Sequence, residues 1–210
     1  MIWLAAYIRE FDAFKIEETV IPEVRNWLRD LGFAKRSDER MIAFVSEGGT
    51  CRCAMAKAIT KKILQQHHLN FKLRVESCAK GDMTLVGASE EARQSIQKLF
   101  GEDLLAEHRT MRLTNEIIKE ADLILVMDEG LGKGIIDGPK TREKASVFKP
   151  FFGLEGDILD PYKRKKGETK AERYDRYDKC AAELNEVIEQ NIEKMISFLN
   201  KDETGNIMGL

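Results

Sequence analysis

Apolar positions along the chain alternate between two periods. Met41 to Val45 is an unbroken apolar run of strand length. Met55, Ile59, Ile63 and Leu64 then fall at helical spacing, which predicts a buried strand followed by a helix over 53–66. Phe71 to Ser77 alternates Phe, Leu and Val with Lys, Arg and Glu, the pattern of a strand with one wet face. A helix is predicted from Ser89 to Phe100, with Glu90 and Glu91 at its positive end. Thr114 is a good N-cap for a further helix from Asn115 to Glu120. Asp122 to Met127 is the most strand-like run in the chain. Glycines 130, 132 and 134 predict irregular structure or a weak helix after it, and Ser146 to Lys149 a short edge strand. From Glu168 to Leu199 the apolar residues, among them Tyr177, Ala181, Leu184, Ile188, Ile192 and Met195, gather near one face of a long amphipathic helix. Strands alternating with helices predict an α/β fold with a parallel sheet covered on both faces.

Two stretches stand outside this alternation. Ile16, Val20, Val24, Trp27, Leu28 and Leu31 recur at helical spacing before Gly32. Residues 1–38 are therefore read as a helical N-terminal extension, packed on the outside of a domain over 39–200 or serving as a homodimer or partner contact. The charge run Lys35 to Arg40 reads as a solvated linker, and residues 201–210, with Gly205 and no pattern, as a flexible tail.

Composition narrows the function classes. Of 210 residues, 43% are hydrophobic and 33% charged, which predicts a soluble globular protein. A formal net charge of -2 gives no general pull toward nucleic acid. No apolar run approaches a membrane span, and Met1 to Ile8 lacks the basic start and small-residue cleavage site of a signal peptide. The four cysteines, Cys51, Cys53, Cys78 and Cys180, lack zinc spacing, so no metal site is expected, and a reduced, cytoplasmic setting is.

The chemistry gathers between the first strand and its helix, in Ser46-Glu47-Gly48-Gly49-Thr50-Cys51-Arg52-Cys53. Unpaired N–H groups collect at the start of such a helix and favour an anion. Two adjacent glycines let successive N–H groups turn into one concavity. Arg52 at the helix start brings a fork of donors suited to phosphate oxygens. These residues predict a phosphate cradle with no cofactor.

The same frame resembles the low-molecular-weight protein tyrosine phosphatases, whose loop usually reads Phe-Val-Cys-x-Gly-Asn-x-Cys-Arg-Ser-Pro-Met-Ala. Val75-Glu76-Ser77-Cys78-Ala79, His108 to Thr114, Asp122 to Asp128 and Asp157-Ile158-Leu159-Asp160-Pro161-Tyr162 resemble later family segments, so the likeness runs over about residues 41–199. It implies a three-layer sandwich with a four-stranded parallel sheet of flavodoxin-like type. It also implies hydrolysis of phosphomonoesters on proteins, phosphotyrosine first, through a phosphocysteine intermediate. By resemblance Ser46 occupies the nucleophile's position and Glu47 to Cys53 cradle phosphate, with Arg52 on its oxygens. Asp160 is the general acid and base, and Tyr162 flanks the substrate.

The departures matter as much as the match. A serine hydroxyl is a weak nucleophile without a base, so the Ser46 chain is expected to be inactive or to trap substrate. Three explanations are open: a cysteine replaced by design, a natural pseudophosphatase that reads phosphorylated partners, and a serine activated by a group the sequence does not reveal. Gly49 replaces the family asparagine and cannot supply the side-chain bonds that would link the loop to Ser77 and His108, which predicts a slower enzyme or a less rigid loop. Cys53 replaces a hydroxyl residue. Thr50 matches the bacterial protein arginine phosphatases of the same family, making phosphoarginine the alternative substrate. His108 is expected to be a structural hydrogen-bonding residue, and Asp128 to orient the loop or the next helix. The Lys163 to Lys166 run reads as a solvated loop, with added attraction for an anionic substrate as the alternative.

Overall fold

In a computed structural model of the chain, the structure describes residues 39–82, 86–139, 141–163 and 166–200. The predicted extension over 1–38, with its dimer role, and the tail over 201–210 lie outside the described residues. The elements in order are β1 (Glu39–Ser46), α1 (Arg52–Leu64), β2 (Lys72–Ala79), α2 (Glu90–Phe100), β3 (Met111–Arg112), α3 (Asn115–Glu120), β4 (Leu123–Val126), α4 (Glu129–Gly132), β5 (Ala145–Val147), α5 (Phe148–Phe151) and α6 (Lys170–Leu199).

The strands form one sheet in the order β3-β2-β1-β4-β5. β4 lies parallel to β1, with Ile42 opposite Leu123 and Val45 opposite Val126, and parallel to β5 on its other side. The chain leaves β1 toward β2 and β3, then returns to the other side of β1 for β4 and β5. The carboxyl end of β1 is therefore where strand order reverses and where ligands bind in open α/β sheets. Met41 to Ser46 and all four residues of β4 are buried, so both faces of the central strands are covered by helices. The core continues into α6 through Tyr177, Leu184, Ile188 and Met195, and Phe148 packs edge-on against Phe152 and tilted against Phe44.

Several helix boundaries follow from local chemistry. Ser89 Oγ accepts the Ala92 N–H at α2, and Thr114 Oγ1 accepts the Ile117 N–H at α3. Thr169 and Glu172 close a reciprocal capping box at α6. The sheet has five strands where four were expected, because β3 is a two-residue edge too short to carry a period. The predicted linker also ends earlier than expected. Glu39 and Arg40 belong to β1, where Arg40 Nε donates to the Leu199 carbonyl at 2.9 Å and Asp122 accepts the Met41 N–H at 2.7 Å. The predicted strand Ser146 to Lys149 shortens to β5 and turns directly into the single turn of α5.

Candidate active site

The loop between β1 and α1 is held from outside by its carbonyls. Ser46 O accepts from Lys80 N, Glu47 O from Gly81 N, and Thr50 O from Ser89 N, each at 3.0–3.2 Å. Gly49 O accepts from Thr110 Oγ1 and His108 Nε2, both at 3.1 Å. With these carbonyls turned outward and the Gly49 N–H given to Ser46 Oγ, the other N–H groups of the loop are left for an anion. α1 is also without a cap: Cys51 makes no side-chain capping bond and the first turn holds no acidic residue. Its 13 residues therefore present a positive end and unpaired donors to the cradle.

The loop's link to His108 survives the missing asparagine. Gly49 has φ +70°, a left-handed conformation that suits glycine. The space beside it is filled by Thr110, and its backbone carbonyl makes the bonds to His108 and Thr110. The side-chain bonds are absent as expected, and the backbone carbonyl makes the link to His108 in their place. Ser77, also expected to lose its tie to the loop, has no hydrogen bond of normal geometry at its buried Oγ, although its hydroxyl lies close to the Cys53 thiol. Burial pushes His108 below its ordinary pKa, so the neutral ring donates from Nε2 to Gly49 O.

At the base of the cradle, Ser46 is 4% exposed. Its Oγ lies 2.9 Å from Cys53 Sγ and accepts the Gly49 N–H at 3.3 Å. The Cys53 S–H is donated to the Cys78 carbonyl at 3.8 Å, which leaves the sulfur to accept from Ser46. Burial pushes the Cys53 thiol up to about 11, so it is neutral near pH 7 and is no base for Ser46. Glu47 is exposed. Cys51 is buried, with Ser89 Oγ and Tyr177 OH each 3.4 Å from its sulfur and Thr50 Oγ1 at 3.6 Å.

Arg52 organises the opposite wall. It is 4% exposed, and its Nη1 donates to Asp128 Oδ2 at 2.7 Å and to the Ile158 carbonyl at 2.9 Å. Its Nη2 lies 3.6 Å from Asp160 Oδ2. Asp128 in turn caps α4 through Leu131 N. The Ile158 N–H reaches Met127 O, so the acidic segment is stitched to the end of β4. Asp160 Oδ1 accepts the Tyr162 N–H at 3.0 Å, and the Tyr162 ring is 62% exposed with Arg173 6.0 Å from its centroid. Arg52 and Asp160 therefore meet from α1 and a loop more than a hundred residues downstream, and Ser46, at the end of β1, is tied to the same loop through Gly49 and Cys53. Such a site can hold a tetrahedral anion on amides and a guanidinium, beside a hydroxyl and a carboxyl.

Sequence reasoning missed Thr110, Tyr177 and the Ile158 carbonyl as parts of this site. The only local hint for Thr110 was the glycine that makes room for it. Among the described residues no group of His, Cys, Asp or Glu is arranged to hold a metal, and no helix is long and apolar enough to cross a membrane.

A family model described as low molecular weight phosphotyrosine protein phosphatase matches residues 41–204. The chain is 30% identical to the protein-arginine-phosphatase of Bacillus subtilis (strain 168) over 155 residues, 71% of this chain and 92% of that protein. Among solved structures, the low molecular weight protein tyrosine phosphatase from T. tengcongensis superposes with a TM-score of 0.63 and 31% identity, over 74% of this chain and 99% of that one. A cysteine-to-serine mutant of the YwlE arginine phosphatase, with a phosphorylated active-site serine, superposes with a TM-score of 0.61 and 28% identity, over 79% of this chain and 99% of that one.

Proposed function

Since the chain belongs to the low-molecular-weight phosphotyrosine protein phosphatase family, we propose that residues 46–53 take the phosphoryl group of a phosphorylated protein side chain, with phosphoarginine ahead of phosphotyrosine. One observation carries the reading: an uncapped helix start carries a buried arginine that two carboxylates flank. A phosphoryl group there has amide donors and Arg52 for its equatorial oxygens. Asp160, beside Arg52, is on hand to protonate the leaving atom.

The sequence alone ranks phosphotyrosine first. Thr50 and the relation to a protein-arginine-phosphatase favour the reverse order. A departing guanidine becomes cationic on protonation, and the carboxylates of Asp160 and Asp128 suit that charge. Phosphotyrosine is the second reading, favoured by the exposed Tyr162 ring as a stacking surface.

With serine at position 46, the P–N or P–O bond of the substrate breaks as an Oγ–P bond forms. Among the described residues no ionised base is hydrogen-bonded to Ser46, whose partners are Cys53 and Gly49, so its proton leaves through a phosphoryl oxygen. The phosphoserine then persists, because an alkoxide is a far poorer leaving group than a thiolate. The phosphorylated serine of the YwlE mutant supports this course. The free, reduced cysteines fit a cytoplasmic setting.

The test exposes the Ser46 protein and its Ser46→Cys variant to matched phosphoarginine and phosphotyrosine peptides. Intact mass should show one phosphoryl group on Ser46, and the cysteine variant should turn over, phosphoarginine faster. A cysteine variant that binds phosphate yet hydrolyses neither peptide would leave a phospho-dependent binding module instead. Faster turnover of phosphotyrosine would restore the original order.

A further inference from the structure

Beside the cradle, on the same carboxyl edge of the sheet, lies an open groove of about 490 Å³ between α4, the end of β5 and the acidic segment. That volume falls within the roughly 300–1,000 Å³ typical of small-ligand sites. Its apolar walls are Ile136, Val147 and Pro150. Its charges are the carboxylates of Glu129, Asp137 and Asp157 against the single amine of Lys133. Among the described residues none of these carboxylates has an ion-pair partner; the one bond made is Asp157 Oδ1 accepting the Glu129 N–H at 3.0 Å.

The groove and the cradle share a wall. Arg52 is held by Asp128 and by the Ile158 carbonyl. Their chain neighbours, Glu129 and Asp157, line the groove. One residue spans about 3.8 Å, so a polypeptide with a phosphorylated side chain in the cradle passes the groove within a residue or a few. Apolar walls with an excess of unpaired carboxylates match a side chain with an apolar stem and a cationic head.

We propose that this groove is a specificity subsite for an unphosphorylated arginine or lysine of the substrate protein, near the phosphorylated residue. The proposal rests on the phosphatase reading given above, whose substrate it refines. Lysine and arginine stems would lie on Ile136, Val147 and Pro150. Their heads would face Glu129 and Asp137, whose side chains make no structural bond that binding must break. Asp157, tied to the α4 backbone, sets the floor of the field.

The test uses the full chain carrying Ser46→Ala, which cannot take up the phosphoryl group, and a phosphopeptide series in which one arginine, or one glutamate, is walked through the positions flanking the phosphorylated residue. Binding is followed by calorimetry, and occupancy of the groove by the methyl resonances of Ile136 and Val147. At one or two positions arginine should bind about three- to tenfold more tightly than glutamate, the scale of one or two partly exposed ion pairs. The paired variant Glu129→Gln with Asp137→Asn should abolish that preference, and high salt should weaken it, while the affinity for inorganic phosphate stays unchanged. Phosphopeptides that bind with no positional preference, and no methyl shifts, overturn the subsite and leave the phosphatase reading intact. If no phosphopeptide binds to the folded protein, the phosphatase reading fails. An unphosphorylated arginine peptide then decides the groove by itself: shifted Ile136 and Val147 methyls uphold a site for cationic side chains, and unshifted ones overturn it.

Discussion

Replacing Gly49 by alanine tests how the loop is held. A Cβ at this position would lie 2.2 Å from Thr110 Cγ2 and 3.2 Å from both Thr110 Cβ and Oγ1. Thr110 is fully buried, and turning its side chain away would give up the Oγ1 bond to Gly49 O. The left-handed φ of +70° adds a second penalty. That backbone conformation costs a side-chain-bearing residue about 1–2 kcal/mol. Overpacking a closed site costs about 1–3 kcal/mol more. Gly49→Ala should therefore destabilise the protein by about 2–5 kcal/mol, a large part of the roughly 5–15 kcal/mol of a typical domain. Urea unfolding should show a lower midpoint at constant slope, with weaker phosphate binding.

The companion variant Thr110→Ser removes the clashing methyl and keeps the hydroxyl that binds Gly49 O. Alone it should cost about 1 kcal/mol for the methyl-sized void. Combined with Gly49→Ala it should recover most of the steric part, giving a coupling energy of about 1–3 kcal/mol, as residues in contact do. A Gly49→Ala protein within about 0.5 kcal/mol of the parent, or a double variant no better than the sum of the singles, would refute the argument that Thr110 occupies the missing side chain's space.

Two further outcomes follow from the site. Asp128→Ala removes both the 2.7 Å partner of buried Arg52 and the cap on Leu131 N, and should cost about 2–4 kcal/mol by urea unfolding; Asp128→Asn, which keeps the cap acceptor, should lose less. His108 is pushed below its ordinary pKa by burial. The unfolded chain therefore takes up the proton first, and the contribution of His108 is full above about pH 6.5 and lost as pH falls through its folded value. His108→Gln should flatten the loss of stability as pH falls below about 6.5; an unchanged slope would show that the acid sensitivity arises elsewhere.

The amino-acid sequence by itself determined the features that depend on near neighbours. The alternation of strand and helix periods, the glycine-bearing turn before α1, the caps Ser89 and Thr114 and the amphipathic face of α6 are all local, so they could be read one segment at a time. Family likeness added Asp160, because Asp-Pro followed by an aromatic residue is legible without knowing where it folds.

Tertiary structure decided what joins distant segments. Arg52 meets Asp128 and Asp160 only because the sheet sets the end of β4 and the acidic segment beside the start of α1. β3 is a strand by virtue of its pairing with Cys78 and Ala79, since two residues have no period of their own. Thr110 compensates for Gly49 through contact across 61 positions, which no local pattern carries. The acidic groove likewise exists only once α4, β5 and the Asp157 segment are brought together. Local backbone preferences act over a few residues, whereas packing selects partners by shape and charge from the whole chain; the phosphate loop is where the two meet.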